Sequence, residues 1–188
     1  MKLDMVKQSL PFLIICGIGE VFAGTILGFM KDLFISYPGL IIIMPAVIGM
    51  RGNIVTTLGS RLGSSIHLGV IDPENVISDP ETKENIYATL ILSAAMAIII
   101  SIIAYTSSKS AGVKTIDLFP LISVTLISSL ISGLILISIT IGIIVLSFAK
   151  GLDPDNVTAP ILTTVGDIIS IFTIYFVVES LHFLGVIG

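Results

Sequence analysis

The chain has 188 residues and a formal net charge of −4, with 54% hydrophobic and only 12% charged residues, whereas soluble domains average about 25% charged residues. This composition excludes a water-soluble globular domain, and the lack of a basic stripe excludes a nucleic-acid partner. Cys16 is the single cysteine, so a disulfide within the chain or a cysteine-based zinc site is excluded as well.

Apolar stretches long enough to cross about 30 Å of hydrocarbon follow one another along the chain. The first, at 10–30, contains Glu20 and lacks the small-residue cleavage pattern that would end a signal peptide. The second, at 40–67, is longer than one clean span and contains Pro45 and several glycines. We therefore expect the second helix to be interrupted.

Polar segments separate the remaining stretches. The segment at 70–85 contains two Asp-Pro turns and several acidic residues, so we expect it in water. Further spans are predicted at 86–105, 118–149 and 158–184. The fold class is thus all-α integral membrane protein with five transmembrane helices, and residues 1–188 are expected to form a single transmembrane domain.

Several polar side chains fall within these apolar stretches: Glu20, Arg51, Asn53, Arg61 and Asp167. An ionised side chain at mid-bilayer costs about 2.5–3.5 kcal/mol on insertion scales, so it normally faces a partner charge, the bundle interior or a watery pathway. Structural ion pairs are the alternative to a functional role, and snorkelling to the interface is expected for Arg61. We expect Glu20 to neutralise Arg51. We expect the amide of Asn53 to contact the water shell of a hydrated ion.

Asp167 lies among hydroxyl groups at helical spacing. Thr163 and Ser170 share one helix face with Asp167, which predicts an oxygen-only stripe with one negative charge. Such ligands suit a hard cation such as Mg²⁺, which keeps several waters and binds through one or two carboxylates. His67 and His182 lack a paired ligand spacing, so zinc or copper is not expected.

Two segments resemble the MgtE magnesium transporters and, more closely, their eukaryotic solute-carrier relatives. The first, at 37–62, has a proline followed by the run Gly-Met-Arg-Gly-Asn at 49–53 and later by Ser-Arg-Leu. The second combines Asp-Pro-Asp-Asn-Val at 153–157 with a Pro-x-x-x-Thr-x-x-Asp frame that ends at Asp167. Together with the five predicted helices, the resemblance covers essentially the whole chain.

This resemblance implies a homodimeric channel or carrier for Mg²⁺ or a related divalent cation. Asp167 falls on the aspartate that binds the permeating ion, and Thr163 on a position whose backbone carbonyl lies near that ion. Ala159 departs from the asparagine of the bacterial members, which removes one polar contact. The sequence also lacks the cytoplasmic sensor domains of that family, so gating by such domains is not expected.

We therefore expect a multi-pass protein of the cell membrane that transports the cation, with Asp167, Thr163 and Asn53 as its metal-site residues. The expected partners are the divalent cation, as transported ion, the lipid bilayer and a second copy of the chain, with no cofactor. A membrane-embedded assembly or scaffold subunit is the alternative. An enzyme is not expected, because the sequence has neither an H-E-x-x-H nor a G-x-S-x-G motif.

Overall fold

The computed structural model describes residues 2–149 and 154–187, with side chains outside 2–9, 12 and 154–159. The described chain is helical and has no strand, which confirms the predicted all-α class. Its helices are α1 Lys2–Phe29, α2 Lys31–Ser36, α3 Gly39–His67, α4 Pro80–Ser110, α5 Leu118–Ala149 and α6 Pro154–Phe183. Residues 150–153 and the side chain of Ala159, which bear on the resemblance, lie outside the described part.

Four of these helices are long and apolar enough to cross a membrane: α3, α4, α5 and the Pro160–Phe183 part of α6. The apolar part described for α1, Leu13–Phe29, is shorter. The four longer helices coincide with the second to fifth predicted stretches, so the chain has the composition and length of a multi-pass membrane protein. A membrane crossing by α1 stays a prediction.

The predicted interruption of the second span is not confirmed, because α3 is one helix of 29 residues. Pro45 lies within its first two turns and removes a single backbone donor. The following turns are regular, and Thr56 and Thr57 donate their hydroxyl groups back to the carbonyls of Gly52 and Asn53 at 2.8 Å. The glycines of this segment therefore allow close packing rather than a break.

Packing of the helices decides which side chains can meet. Helices α3 and α5 contact each other and both contact α4 and α6, which forms the core of the bundle, whereas α1 packs along α6 and contacts α2. The largest apolar cluster includes Ala23 of α1, Leu40 of α3 and Ile174 of α6, all of them buried. A polar residue on α1 is consequently placed to meet α6.

Candidate functional site

Asp167 lies near the middle of α6, one turn after Thr163. Thr163 is exposed and its Oγ1 donates a hydrogen bond to the carbonyl of Pro160 at 3.0 Å, while Asp167 is half-buried. Ser170, expected on the same open stripe, is only 1% exposed, and its hydroxyl lacks a hydrogen-bond partner. The stripe therefore turns into the bundle at Ser170, and its open part is limited to Thr163 and Asp167.

Helix α1 approaches this part of α6 closely at Gly19. A Cβ atom built at Gly19 would collide with Cγ2 of Thr164, so the approach requires glycine, as in other closely packed membrane helices. The next residue, Glu20, is exposed, and its carboxyl group lies beside that of Asp167, within reach of a side-chain hydrogen bond. Contact between α1 and α6 thus brings two carboxyl groups together.

The two helices border an open pocket of about 460 Å³. Its wall is mostly apolar, but Glu20 and Thr163 supply carboxylate and hydroxyl oxygens. Cys16 closes one side of it by donating from Sγ to the carbonyl of Pro160 at 3.4 Å. An oxygen donor set in a pocket of this kind suits a hard divalent cation that keeps part of its water shell.

The predicted pair between Glu20 and Arg51 is wrong. Arg51 is 2% exposed and its Nη1 donates to the carbonyl of Ser129 on α5 at 2.5 Å. Gly133 leaves room for the guanidinium, since a Cβ atom there would lie 2.9 Å from Nη1. The side chain of Arg51 therefore contacts α5, whereas Glu20 lies on α1 and faces α6.

Sequence reasoning identified Glu20 as a charge within a membrane span but missed its place beside Asp167. The available signal was the pair of small residues before it, Gly17 and Gly19. Small residues mark the helix face that permits close approach to a neighbour. Small residues do not indicate which helix is the neighbour, and the identity of that helix decides which side chain Glu20 contacts.

Asn53 belongs to a polar and small-residue stripe on the outer face of α3. The members of this stripe, which we call the α3 stripe, are all exposed in the single chain: Gly49, Asn53, Thr57, Ser60 and Ser64. The turn that carries Asn53 contacts α6 next to it, because a Cβ atom at Gly52 would lie 3.8 Å from Cγ2 of Thr163. The α3 stripe thus runs beside the open part of α6.

The α3 stripe leads into a polar groove of about 520 Å³ between the end of α3 and the start of α4. Within this groove, Ser65 donates to Oε1 of Glu81 at 2.5 Å, and Arg61 donates to Oδ1 of Asn85 at 3.4 Å. Both Arg61 and Asn85 lie near helix ends, as expected for an arginine that reaches the interface. Polar groups therefore continue from mid-helix to the aqueous end of the bundle.

The described part of one chain contains no cluster of several metal-ligating side chains. Among the described residues, no group of three or more His, Cys, Asp or Glu side chains is placed to hold a metal ion. The acidic side chains that lie together are the pair Glu20 and Asp167. This number fits a cation that retains water molecules better than one that is fully enclosed by protein.

Comparison with known proteins shows the family. The family model of MgtE, described as a divalent cation transporter, matches residues 44–178, which include α4 and α5 and most of α3 and α6. The chain belongs to the MgtE family. The match contains Asn53, Thr163 and Asp167 but begins after Glu20, so the carboxyl group that lines the pocket lies outside the matched segment. Members of this family are transporters rather than enzymes.

Similar full-length proteins extend the comparison to nearly the whole MgtE-family chain. Solute carrier family 41 member 2 of Gallus gallus is 30% identical over 189 residues, which cover 95% of this chain and 32% of that protein. The protein of the same name in Homo sapiens has the same identity and coverage. Solute carrier family 41 member 3 of Mus musculus is 29% identical, covering 86% of this chain. The chain spans about a third of the length of these curated relatives.

Proposed function

We propose that this MgtE-family chain carries Mg²⁺ or a related divalent cation across the cell membrane, with Asp167 as the main cation-binding carboxylate. The carboxyl groups of Asp167 and Glu20 lie side by side on α6 and α1, and among the described side chains no Lys or Arg pairs with either. Two carboxylates at this separation disfavour each other unless a proton or a metal cation lies between them, and a divalent cation can displace such a proton. This juxtaposition is the observation that carries the proposal.

The polar groups near Asp167 suit a partly hydrated ion. Thr163 offers oxygen atoms one turn before Asp167, and Asn53 offers an amide on the neighbouring helix α3. Mg²⁺ dehydrates reluctantly and is bound through few carboxylates, so such groups would contact its water shell. The α3 stripe then extends the polar surface from this level towards the groove at Ser64.

We further propose that the transporting unit is a homodimer with five membrane-spanning helices in each copy, α1 included. The α3 stripe is exposed in a single chain, and polar side chains in a membrane normally face protein or a watery pathway rather than lipid. A second copy related by a two-fold axis would cover the stripe with an identical stripe. The two stripes and two copies of Asp167 would then line a shared polar pathway.

The scaffold alternative is less well supported because it requires the membrane charges to form structural ion pairs. Arg51 donates to a backbone carbonyl, and Glu20 lies beside another carboxyl group. Within the described residues, neither arrangement is an ion pair. Charged side chains with a purely structural role in the bundle would be expected to form ion pairs with opposite charges.

The test is cation influx into liposomes that contain the purified chain and a Mg²⁺-sensitive dye. We expect dye fluorescence to change after external Mg²⁺ is added, at a rate proportional to the amount of inserted protein, with protein-free liposomes as control. Inserted, helical protein that shows no influx above the protein-free rate would overturn the transport proposal and favour a scaffold subunit.

The dimer is tested by cross-linking on a Cys16→Ser background. Thr57→Cys places a thiol on the α3 stripe, and Ile91→Cys places one on an exposed apolar face of α4 as a matched control. We expect oxidation to join two copies through position 57 and leave position 91 monomeric. The opposite pattern would contradict an interface along the α3 stripe.

A further inference from the structure

Arg51 is the most deeply buried charged side chain that the transport proposal does not use. It lies near the middle of α3 on the face opposite the exterior and is 2% exposed. One nitrogen, Nη1, donates to the carbonyl of Ser129, but Nε has no hydrogen-bond partner. A buried guanidinium N–H without an acceptor is strongly unfavourable, because its lost contacts with water are not replaced.

A small cavity within the bundle is lined by this guanidinium. Its volume is about 10 Å³, which is the space that a single water-sized particle requires. Arg51, Ser93 of α4 and Ser129 of α5 supply its polar wall, and the rest is apolar: Val47, Met50, Ile54, Met96, Ala97 and Ile100. The hydroxyl of Ser93 is 2% exposed as a residue and also lacks a hydrogen-bond partner.

The charge in this cavity is uncompensated. Arginine keeps its positive charge in proteins, and no acidic side chain contributes to the cavity wall. The two unused groups, Nε–H and the Ser93 hydroxyl, can both donate a hydrogen bond to the same acceptor. A water molecule would accept these hydrogen bonds but leave the charge in place, whereas an anion would accept them and neutralise it.

We propose that this cavity binds one monovalent anion of the size of chloride, held by Nε of Arg51 and Oγ of Ser93. The anion is a single atom slightly larger than water, and the flexible side chains of Met50 and Met96 can yield to admit it. Neutralisation matters because Arg51 lies two residues from Asn53, where an unpaired positive charge would repel a cation. The proposal does not depend on transport, because anion binding is measured on the resting protein.

Thermal unfolding of the purified chain in detergent is the first test. We compare sodium chloride with sodium gluconate at equal concentration, because gluconate is too large for the cavity. Chloride should raise the unfolding temperature in a saturable manner, by about 5 °C when its concentration is far above the dissociation constant. Arg51→Met should remove this dependence, and Arg61→Met, which changes an exposed arginine on the same helix, should retain it.

Ser93→Ala keeps the test decisive if Arg51→Met fails to fold. This variant retains the charge and removes one ligand, so we expect a weaker chloride dependence with a half-saturation concentration raised about tenfold. Equal unfolding temperatures in chloride and gluconate for the unaltered chain would overturn the proposal.

Crystals grown with bromide provide a second and independent test. Bromide replaces chloride and scatters anomalously, so one anomalous peak is expected within hydrogen-bonding distance of Arg51 Nε and Ser93 Oγ. A peak without anomalous signal would identify a water molecule, and an empty cavity would show that no ligand binds. Either of these two results would refute the anion site.

Discussion

The two charged centres of this bundle lie near the middle of their helices but have opposite surroundings. Arg51 of α3 is enclosed by α4 and α5, and its nearest polar neighbours are a carbonyl and a serine hydroxyl. Asp167 of α6 is half-buried beside Glu20, and Glu20 lines a pocket that is open at the bundle surface. The centre at Arg51 is positive and buried, whereas the centre at Asp167 and Glu20 is negative and accessible from the bundle surface.

This difference separates a buried charge, which a small ligand can compensate inside the bundle, from charges at the bundle surface, which an exchanging ion can reach. An accessible pair of carboxyl groups can instead be occupied and vacated repeatedly, which a transport site requires. The two charged centres are separate because Arg51 is on the buried face of α3, whereas Asp167 and Glu20 are on α6 and α1.

The largest effect on the accessible centre is expected from Asp167→Asn. This variant keeps the shape of the side chain and removes its charge, so Mg²⁺ influx should fall about 100-fold or more, given about 3 kcal/mol for a charged ligand. The rate is measured by dye fluorescence in liposomes with equal amounts of inserted protein. Glu179→Gln, an exposed carboxylate further along α6, should retain the normal rate, and normal influx in Asp167→Asn would remove Asp167 from the site.

A smaller effect is expected from Glu20→Gln, because it removes the second carboxylate and retains the first. The concentration of Mg²⁺ at half-maximal influx should rise about tenfold, which corresponds to about 1.4 kcal/mol of lost attraction. The unfolding temperature should stay close to that of the unaltered chain, since Glu20 compensates no buried positive charge. A large drop in this temperature with unchanged Mg²⁺ dependence would assign Glu20 a structural role instead.

Gly19→Ala tests whether close contact between α1 and α6 creates the accessible centre. The added methyl group would collide with Thr164, and overpacking of this kind costs about 1–3 kcal/mol of stability. We expect a lower unfolding temperature together with influx reduced several-fold as Glu20 moves away from Asp167. Gly24→Ala on the same helix, where no atom lies within 4 Å of the added group, is the control and should change neither quantity.

The smallest effect is expected from Asn53→Ala, because an amide that contacts the water shell of the ion contributes one neutral hydrogen bond. At about 1 kcal/mol, its loss should slow Mg²⁺ influx about fivefold and leave folding unchanged. Asn75→Ala removes the same side chain from the loop before α4, where Asn75 donates to Asp72 at 3.1 Å, and should have no effect on influx. Equal rates in both variants would place Asn53 outside the pathway.

Helix positions could be predicted well because apolar length is written directly in the sequence. The stretch predicted at 118–149 coincides with α5, Leu118–Ala149. Helix α4 begins at Pro80, six residues before the predicted span, because Asp79 caps its first turn by accepting from the backbone N–H of Glu81 at 2.8 Å. Hydropathy does not register such a polar first turn, whereas capping chemistry does.

The candidate site could be predicted only in part. Asp167 and Thr163 follow from their spacing on one helix; Thr163 lines the open pocket, and Asp167 lies one turn further along α6, half-buried beside Glu20. Glu20 and Arg51 were assigned to each other because opposite charges in membrane spans usually pair. The structure separates them, since α1 packs along α6 while Arg51 faces α5.

The sequence by itself determined the membrane class, the approximate helix limits and the resemblance to MgtE transporters, because each of these depends on residue types within a short segment. Only the tertiary structure decided that the carboxyl groups of Glu20 and Asp167 lie side by side, that Ser170 is buried and that Arg51 lines a small cavity within the bundle. These outcomes depend on how each helix is rotated and which neighbour it meets. Rotation is set by the packing of all helices together, through contacts such as Gly19 against Thr164 and Gly133 against Arg51.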